Sequence, residues 1–453
     1  MSGGTDIPAR LAEEVLDRVR AATDGAAEAE VTAGSSSLAL TRFANSFIHQ
    51  NVADEGAAVR LRLHLDGRTA TGSTTRVSSD GLTALVERTI AASRLLPLDP
   101  GWGGLAPMAP ATAAGNVDEA TAAVAPSDRA EVVRRFVDAA EGLEAAGYCK
   151  TTSTVTVFAN SAGHTLSGAS TTAAVDGVVR TGTSDGVARQ ASVALSELDG
   201  SALGARAATK ARAAADAVDL DPGEYEVVLE PNAARDVLTN LAFYGFNGRA
   251  VAERRSFVRV GEQQFDPAIT LVDDATVDSA LGLPFDVEGT PKRPVTLVES
   301  GLVAAITHDR RTAKEVGHET TGHAIPGGER WGAIATNLRL DPSGDGRSID
   351  DLVAGVERGL LVTDIWYTRV LDPRTLVVTG LTRNGLFVVE DGKLTGAVKN
   401  LRFTQSYPRA LAPGAVLGVG GELAIVPDEW DIGATAVPAL RLASWNFTGG
   451  AAG

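Results

Sequence analysis

Cysteine is almost absent from this chain. Cys149 is the only one among 453 residues, so no disulfide can form within the chain and a reducing compartment is expected. Aromatic residues are scarce at 5%, which leaves Val, Leu, Ile and Ala to build the cores. No run of about 18 apolar residues occurs, which excludes a membrane-spanning helix of ordinary length. Residues 1–10 carry no apolar stretch of the signal-peptide kind. A cytoplasmic location is the expectation. Basic clusters are missing too. The formal net charge is −16, and the short runs Arg254-Arg255 and Arg310-Arg311 are diluted by acids. A nucleic-acid binder draws much of its affinity from neutralised phosphates, so this balance argues against one. An acidic, solvated surface is the plainer meaning.

The chain is too long for one ordinary core, which suggests two or three domains. Apolar residues make up 44% and charged residues 22%, ordinary values for a globular protein, and the 49 glycines announce many turns. Residues 7–22 place Leu11, Val15, Leu16 and Val19 at helical spacing. Strand-like stretches follow at 28–31, 36–43, 47–52 and 57–65, with Asp66-Gly67 as a hairpin signal. Residues 78–93 return to helical spacing, and 96–117 read as a Pro- and Gly-rich loop. A helix over 127–146, capped by Ser127, precedes strands at 151–158, 171–181 and 187–195 and a helix at 202–217. Helix-then-strands thus occurs twice, a hint of an internal repeat. Pro222-Gly223 marks a shift in composition, and the main boundary is expected near residue 220. Beyond it, helices are expected at 233–244 and 349–359. Strands are expected at 225–229, 376–378, 385–390 and 398–403, with Asn384-Gly385 and Asp391-Gly392 as turns between them. An unordered tail is expected at 449–453. The fold class is therefore α+β: an N-terminal α/β domain with an antiparallel sheet over 1–220, and a mostly β domain over 221–453.

One segment invites a chemical reading. Gly317-His318-Glu319-Thr320-Thr321-Gly322-His323 holds two imidazoles and a carboxylate within six positions. Zinc peptidases set two His on one helix face and use a Glu to activate metal-bound water. That logic needs His at i and i+4. Here the interval is five, which turns the two side chains roughly 140° apart on a straight helix. Gly317 also suits the C-cap of a helix over 310–316, and Thr320, Thr321 and Gly322 are poor helix formers. The segment reads as a loop, with an autonomous metallopeptidase using His318, Glu319 and His323, and perhaps His308 as third ligand, kept as the rival. His49, His64, His164 and His308 are scattered in strand-like contexts. Cys149 lacks a sequence neighbour that would activate it. Gly182-Thr183-Ser184-Asp185-Gly186 fits a nucleophile-elbow pattern, but a strand follows where a helix is required, so a hairpin turn is expected. The glycines of 418–421 lack the Lys-Ser/Thr of a phosphate loop.

Several runs together resemble the TldD/PmbA family. They are Leu283-Pro284-Phe285-Asp286-Val287-Glu288-Gly289-Thr290-Pro291, Val298-Glu299-Ser300-Gly301-Leu302, Thr321-Gly322-His323-Ala324, Asp391-Gly392-Lys393 and the stretch 42–57. The resemblance runs over nearly the whole chain. It implies a heterodimer of a catalytic, zinc-holding TldD-like subunit and a PmbA/TldE-like partner, acting on unfolded or short peptides or on precursors of peptide natural products. It also implies where the metal would sit: HExxxH on a helix early in the C-terminal domain, with a Cys near the chain end. Here that helix is 236–247, whose matching positions hold Thr239, Asn240 and Tyr244, and no Cys follows. The resemblance therefore implies a partner subunit with no catalytic, cofactor-binding or metal-ligating residue of its own, no cofactor in this chain, and zinc in its TldD-like partner. A regulatory binding protein, suggested by family members named for effects on DNA gyrase, is the reading from another class.

Overall fold

The computed structural model describes residues 6–110, 114–427 and 433–450. Helix α1 (Asp6–Ala22) leads into β1 (Glu28–Ala44), β2 (Phe47–Leu65) and β3 (Arg68–Thr74), and α2 (Ser79–Ser93) follows. After an extended stretch and the short α3 (Glu119–Ala122), the same order recurs as α4 (Pro126–Ala139), β4 (Glu144–Asn160), β5 (Thr165–Arg180), β6 (Asp185–Ser192) and α5 (Gly200–Ala213). The six strands form one antiparallel sheet in the order β3-β2-β1-β4-β5-β6. The repeat hinted at in the sequence is thus a sheet of two similar halves joined along β1 and β4.

Alternation sorts the faces of this sheet. Ala29, Val31, Val59, Leu61, Leu63 and Val157 pack under α1 and α2. Phe43, Ala145, Cys149, Ala173 and Val175 pack under α4 and α5. Each buried Val or Leu contributes about 1.5–3 kcal/mol. The opposite face presents Glu30, Arg62 and Phe158 to the rest of the chain. Asn45-Ser46 and Asp66-Gly67 take left-handed backbone and close the two hairpins around β2.

The remaining strands form two further sheets. One contains β7 (Gly223–Leu229), β12 (Arg358–Asp372), β13 (Val377–Glu390), β14 (Lys393–Ala397), β15 (Leu401–Ser406), β16 (Val416–Val419) and β19 (Leu440–Gly450). Because β12 pairs with both β7 and β13, five of these strands close into a ring: β12-β7-β19-β15-β13. The other sheet has the order β10-β9-β8-β11-β18-β17, from β8 (Leu271–Asp273), β9 (Val295–Glu299), β10 (Leu302–Val303), β11 (Asn337–Leu340), β17 (Ala424–Pro427) and β18 (Ala434–Val437). Helix α6 (Pro231–Asn240) packs between them, burying Ala233, Ala234, Val237 and Leu238 in the largest core. The short helices α7 (Gly248–Ala252), α8 (Arg310–Val316), α9 (Gly328–Trp331), α10 (Ile349–Ala354) and α11 (Tyr407–Ala410) sit in the connections. Among the described residues no helix is long and apolar enough to cross a membrane.

Several boundaries differ from the sequence reading. The helix expected to reach 146 stops at Ala139, because Glu141 and Gly142 take left-handed backbone and turn the chain into β4. Pro126 starts it, and Ala125 rather than Ser127 is its cap. The helices expected at 202–217 and 349–359 end at Ala213 and Ala354. Asp391-Gly392 is the expected turn, with both residues left-handed. Asn384-Gly385 is not a turn but an irregularity inside the continuous β13, where the pairing with β12 shifts register. Gly449 and Gly450 close β19, whereas 451–453, and 111–113 of the expected loop, lie outside the described residues.

The Asp286–Thr290 turn rests directly on the first sheet. Gly289 has φ +76°, and a Cβ there would lie 2.1 Å from the Phe158 ring. Gly289→Ala is expected to destabilise the protein by about 1–3 kcal/mol through backbone strain and overpacking. An unchanged urea midpoint in that variant would mean that the turn does not dock on Phe158.

Candidate functional site

Two places in the chain qualify by sequence as sites for chemistry. The first is the helix that leaves β7. Pro231 begins α6, and after Asn240 the helix widens into a π-type turn, with the Phe246 amide donating to the Leu241 carbonyl at 3.0 Å. The polar group with the most partners here is the half-buried Asp236. Tyr407 Oη donates to its Oδ2 at 2.7 Å, Asn240 Nδ2 to the same oxygen at 3.2 Å, and Thr368 Oγ1 to its Oδ1 at 2.9 Å. Burial pushes the Asp236 carboxyl above its ordinary range despite these donors. Burial and the neighbouring carboxylate likewise raise the Tyr407 phenol well above its own. Thr239, Asn240 and Tyr244 are half-buried along the same segment. A hydroxyl, an amide and a phenol lack the imidazole or thiolate that zinc prefers, and the Asp236 oxygens are already engaged. The residues present do not fit a zinc ion.

The second place is the His318–His323 segment. Asp309 caps α8, accepting from the Thr312 amide at 2.7 Å, and Gly317 ends it at φ +71°. The chain then runs as a loop, in agreement with the sequence reading. His318 is exposed, and its ring stacks at 6.1 Å on that of His308. The Glu319 side chain is 87% exposed and lies 3.7 Å from Arg293. His323 is fully buried, and both ring nitrogens are engaged: Nε2 lies 2.8 Å from Asp273 Oδ1, and Nδ1 lies 2.9 Å from Thr321 Oγ1. Thus the loop does not gather the two histidines and the glutamate around one point. Among the described residues, no group of three or more His, Cys, Asp or Glu is placed to hold a metal ion.

What this loop does instead is join distant strands. The Ala324 amide donates to Asp286 Oδ2 at 3.0 Å, while Asp286 Oδ1 accepts from the amides of Glu288 and Thr290 at 3.0 and 2.9 Å. Asp273 Oδ2 accepts from the Asn337 amide at 2.6 Å. Lys292 Nζ donates to Thr336 Oγ1 at 2.6 Å. Burial works to raise the Asp273 carboxyl, but His323 and Lys292 outweigh it and hold it below the usual range. Burial and the Glu288 carboxylate raise Asp286. Glu288 itself is held low, against burial, by Arg62 and Arg310.

Two other sequence candidates are structural. The buried Cys149 thiol is pushed up to about 12 by burial, only partly opposed by Arg129, and so is a poor nucleophile. Ser184 lies in the turn between β5 and β6 and donates to the Ala211 carbonyl at 2.6 Å. One feature escaped the sequence reading. A cleft of about 360 Å³ opens between the first sheet and the closed ring, walled by Arg180, Arg189, Trp366 and Arg383. Arg189 bridges Asp176 at 3.0 Å and Asp364 at 2.9 Å, and Asn384 Nδ2 reaches the same Asp364 oxygen at 2.8 Å. Trp366-Tyr367, an aromatic pair exposed on a strand, was the available signal.

His323→Ala is expected to cost about 3–5 kcal/mol, because it strands a buried carboxylate, whereas exposed His318→Ala is expected to stay within about 0.5 kcal/mol. Equal unfolding midpoints for the two variants would contradict this geometry. Burial, and then His318, lowers the His308 imidazole to about 4 from an ordinary 6.5. Between those values the unfolded chain binds a proton that the folded chain refuses, so this part of the stability is present above pH 6.5 and lost as pH falls toward 4. The difference in melting temperature between the parent and His308→Gln should therefore change over that window and stay flat above it.

Comparison with known proteins agrees with this fold. Residues 222–449 match the model of the PmbA/TldA metallopeptidase C-terminal domain. A metalloprotease of Methanothermobacter thermautotrophicus is 23% identical over 223 residues, 49% of this chain and 48% of that protein. A metalloprotease TldD homologue of Haemophilus influenzae is 26% identical over 142 residues, 31% of this chain and 29% of that protein. The matched stretches span 25–48% of the length of the first three curated relatives. Among solved structures, TldE of Thermococcus kodakarensis superposes with a TM-score of 0.85 at 20% identity, over 97% of this chain and 100% of that one. With a family model matched over half its length, on a TldE-like fold, the chain belongs to the PmbA/TldD metallopeptidase-like family.

Proposed function

We propose that this chain is a TldE-like subunit without a catalytic metal, which joins a TldD-like zinc subunit to form a heterodimeric peptidase. The complex would act in the cytoplasm on unfolded or short peptides or on natural-product precursors. One observation carries the reading: the segment where the family resemblance locates the metal helix holds Thr239, Asn240 and Tyr244, beside an Asp236 already saturated by Tyr407, Asn240 and Thr368. The loop that imitates a zinc motif supports it from the other side, since His323 is committed to Asp273 and Thr321. The relatives named as metalloproteases support the class of reaction, and the TldE neighbour supports the role of partner. In such a complex this subunit closes the reaction chamber and presents sheet edges to extended peptides. Main-chain hydrogen bonding of that kind holds peptides with little side-chain preference.

The test is reconstitution. The chain purified alone is expected to hydrolyse no unfolded peptide and to hold no stoichiometric zinc by elemental analysis. Co-expression with a TldD-like chain is expected to yield a complex that cleaves peptides, with Glu319→Gln in this chain leaving the rate unchanged. One tightly held zinc per isolated chain, lost on replacing His318 and His323, would sink the proposal. So would a preparation that captures a basic protein and never a TldD-like chain.

A further inference from the structure

The cleft between the first sheet and the closed ring holds two charges that the protein does not itself answer. Its other charges are committed. Arg189 bridges Asp176 and Asp364, and Arg180 Nε lies 3.0 Å from Asp185. Glu144, which begins β4, has no hydrogen bond or ion pair among the described residues. The Arg383 guanidinium on β13 meets no carboxylate among them either. Its contact is with the Trp366 ring, 5.6 Å from the centroid. The two unanswered groups therefore stand on opposite walls, a carboxylate on the first sheet and a cation on the ring.

Beside Arg383 the ring wall is aromatic, and its backbone keeps it open. In a regular strand successive side chains alternate between faces, so one of two neighbours turns inward. On β12 both Trp366 and Tyr367 are exposed, at 43% and 63%. Tyr367 has φ +57°, a left-handed conformation that is costly for a bulky side chain, and the pairing with β13 shifts register between Trp366 and Arg369. The bulge thus holds the Trp366 indole at the cleft. Backbone strain of this kind collects where a surface must be held ready for a ligand.

We infer that the cleft binds a free amino acid with an aromatic side chain. The ligand carboxylate pairs with Arg383, its ammonium pairs with Glu144, and its ring stacks on Trp366. Charge balance favours such a zwitterion over a simple anion. Arg180, Arg189 and Arg383 stand against Glu144, Asp176, Asp185 and Asp364, so three cations face four carboxylates and exert no net pull on a negative ligand. The space of about 360 Å³ falls at the lower end of the range for small-molecule sites, about 300–1,000 Å³. A residue inside a peptide carries neither of the two backbone charges, so the cleft separates a free amino acid from the same side chain in a longer chain. Peptide hydrolysis releases such molecules, which makes the ligand a product of the peptidase proposed above. Binding itself belongs to this chain and does not rest on that proposal.

Calorimetric titration of the full chain, with no partner present, tests it. L-Phenylalanine is expected to bind at one site per chain. Phenylpropanoate and phenethylamine, each lacking one of the charges, should bind about tenfold more weakly or worse, and N-acetyl-phenylalaninamide should not bind. Arg383→Gln should erase the advantage of L-phenylalanine over phenethylamine, and Glu144→Gln its advantage over phenylpropanoate. Both side chains are exposed, so the melting temperatures of these variants should stay near that of the parent. No saturable binding of L-phenylalanine up to its solubility overturns the inference, as does binding indifferent to both variants. Phenylpropanoate binding as tightly as L-phenylalanine also overturns it, and makes the cleft a carboxylate site only. The peptidase reading fails separately, since it is read on the complex and this binding on the isolated chain.

Discussion

Glu30 and Arg62 stand side by side on β1 and β2, and Glu288 and Arg310 reach them from 226 and 280 residues further along the chain. All four side chains are nearly removed from water. Arg62 Nη1 lies 3.3 Å from Glu30 and 2.5 Å from Glu288, while Arg310 pairs with both glutamates. Removing four charges from water costs several kcal/mol each unless the pairing is close and complete. Here it is electrically balanced, two against two, though Nε of each arginine lacks a hydrogen-bond acceptor. Burial pushes Glu30 up to about 7 even so, with Arg310 and Arg62 pulling the other way. A cluster of this kind tolerates one arrangement only, because displacing any member strands a buried charge. The position of the later sheets on the first sheet depends on it.

The Asp286–Thr290 turn carries that constraint onward. Glu288 belongs to the cluster, Asp286 two residues before it holds Ala324, and the neighbouring His323 is paired with Asp273 at the end of β8. The family-like runs around Asp286 and His323 are therefore two sides of one joint. Their side chains face each other and the first sheet. This explains how a string so close to a zinc motif serves architecture. With Nε2–H donating to the Asp273 carboxylate and Nδ1 hydrogen-bonded to Thr321, the His323 imidazole has no lone pair left for a metal.

Beyond this joint the structure leaves surfaces open. The cleft between the first sheet and the closed ring is held by Arg189, which ties Asp176 on β5 to Asp364 on β12. Residues 47–58 of β2 have no outer strand partner among the described residues.

Local sequence was enough wherever a local rule decided the outcome. Gly317 ended α8 because left-handed backbone costs glycine little, Asp66-Gly67 and Asp391-Gly392 made hairpins for the same reason, and the strand-like stretches between 28 and 65 announced an antiparallel sheet. The poor helix propensity of Thr320, Thr321 and Gly322 sufficed to read a loop where a motif suggested a helix. Asn384-Gly385 shows where such rules fail: the same kind of dipeptide that turns a chain elsewhere, left-handed here too, is a bulge inside β13, whose flanking Arg383 and Leu386 pair with β12. The partner of His323 lies 50 residues away, that of Arg62 226 residues away, and the closure of the ring through β12 and β13 has no local signature at all. Spacing along a chain governs backbone conformation. Which charges meet in a dry interior is governed by packing, and only the tertiary structure brings those residues together.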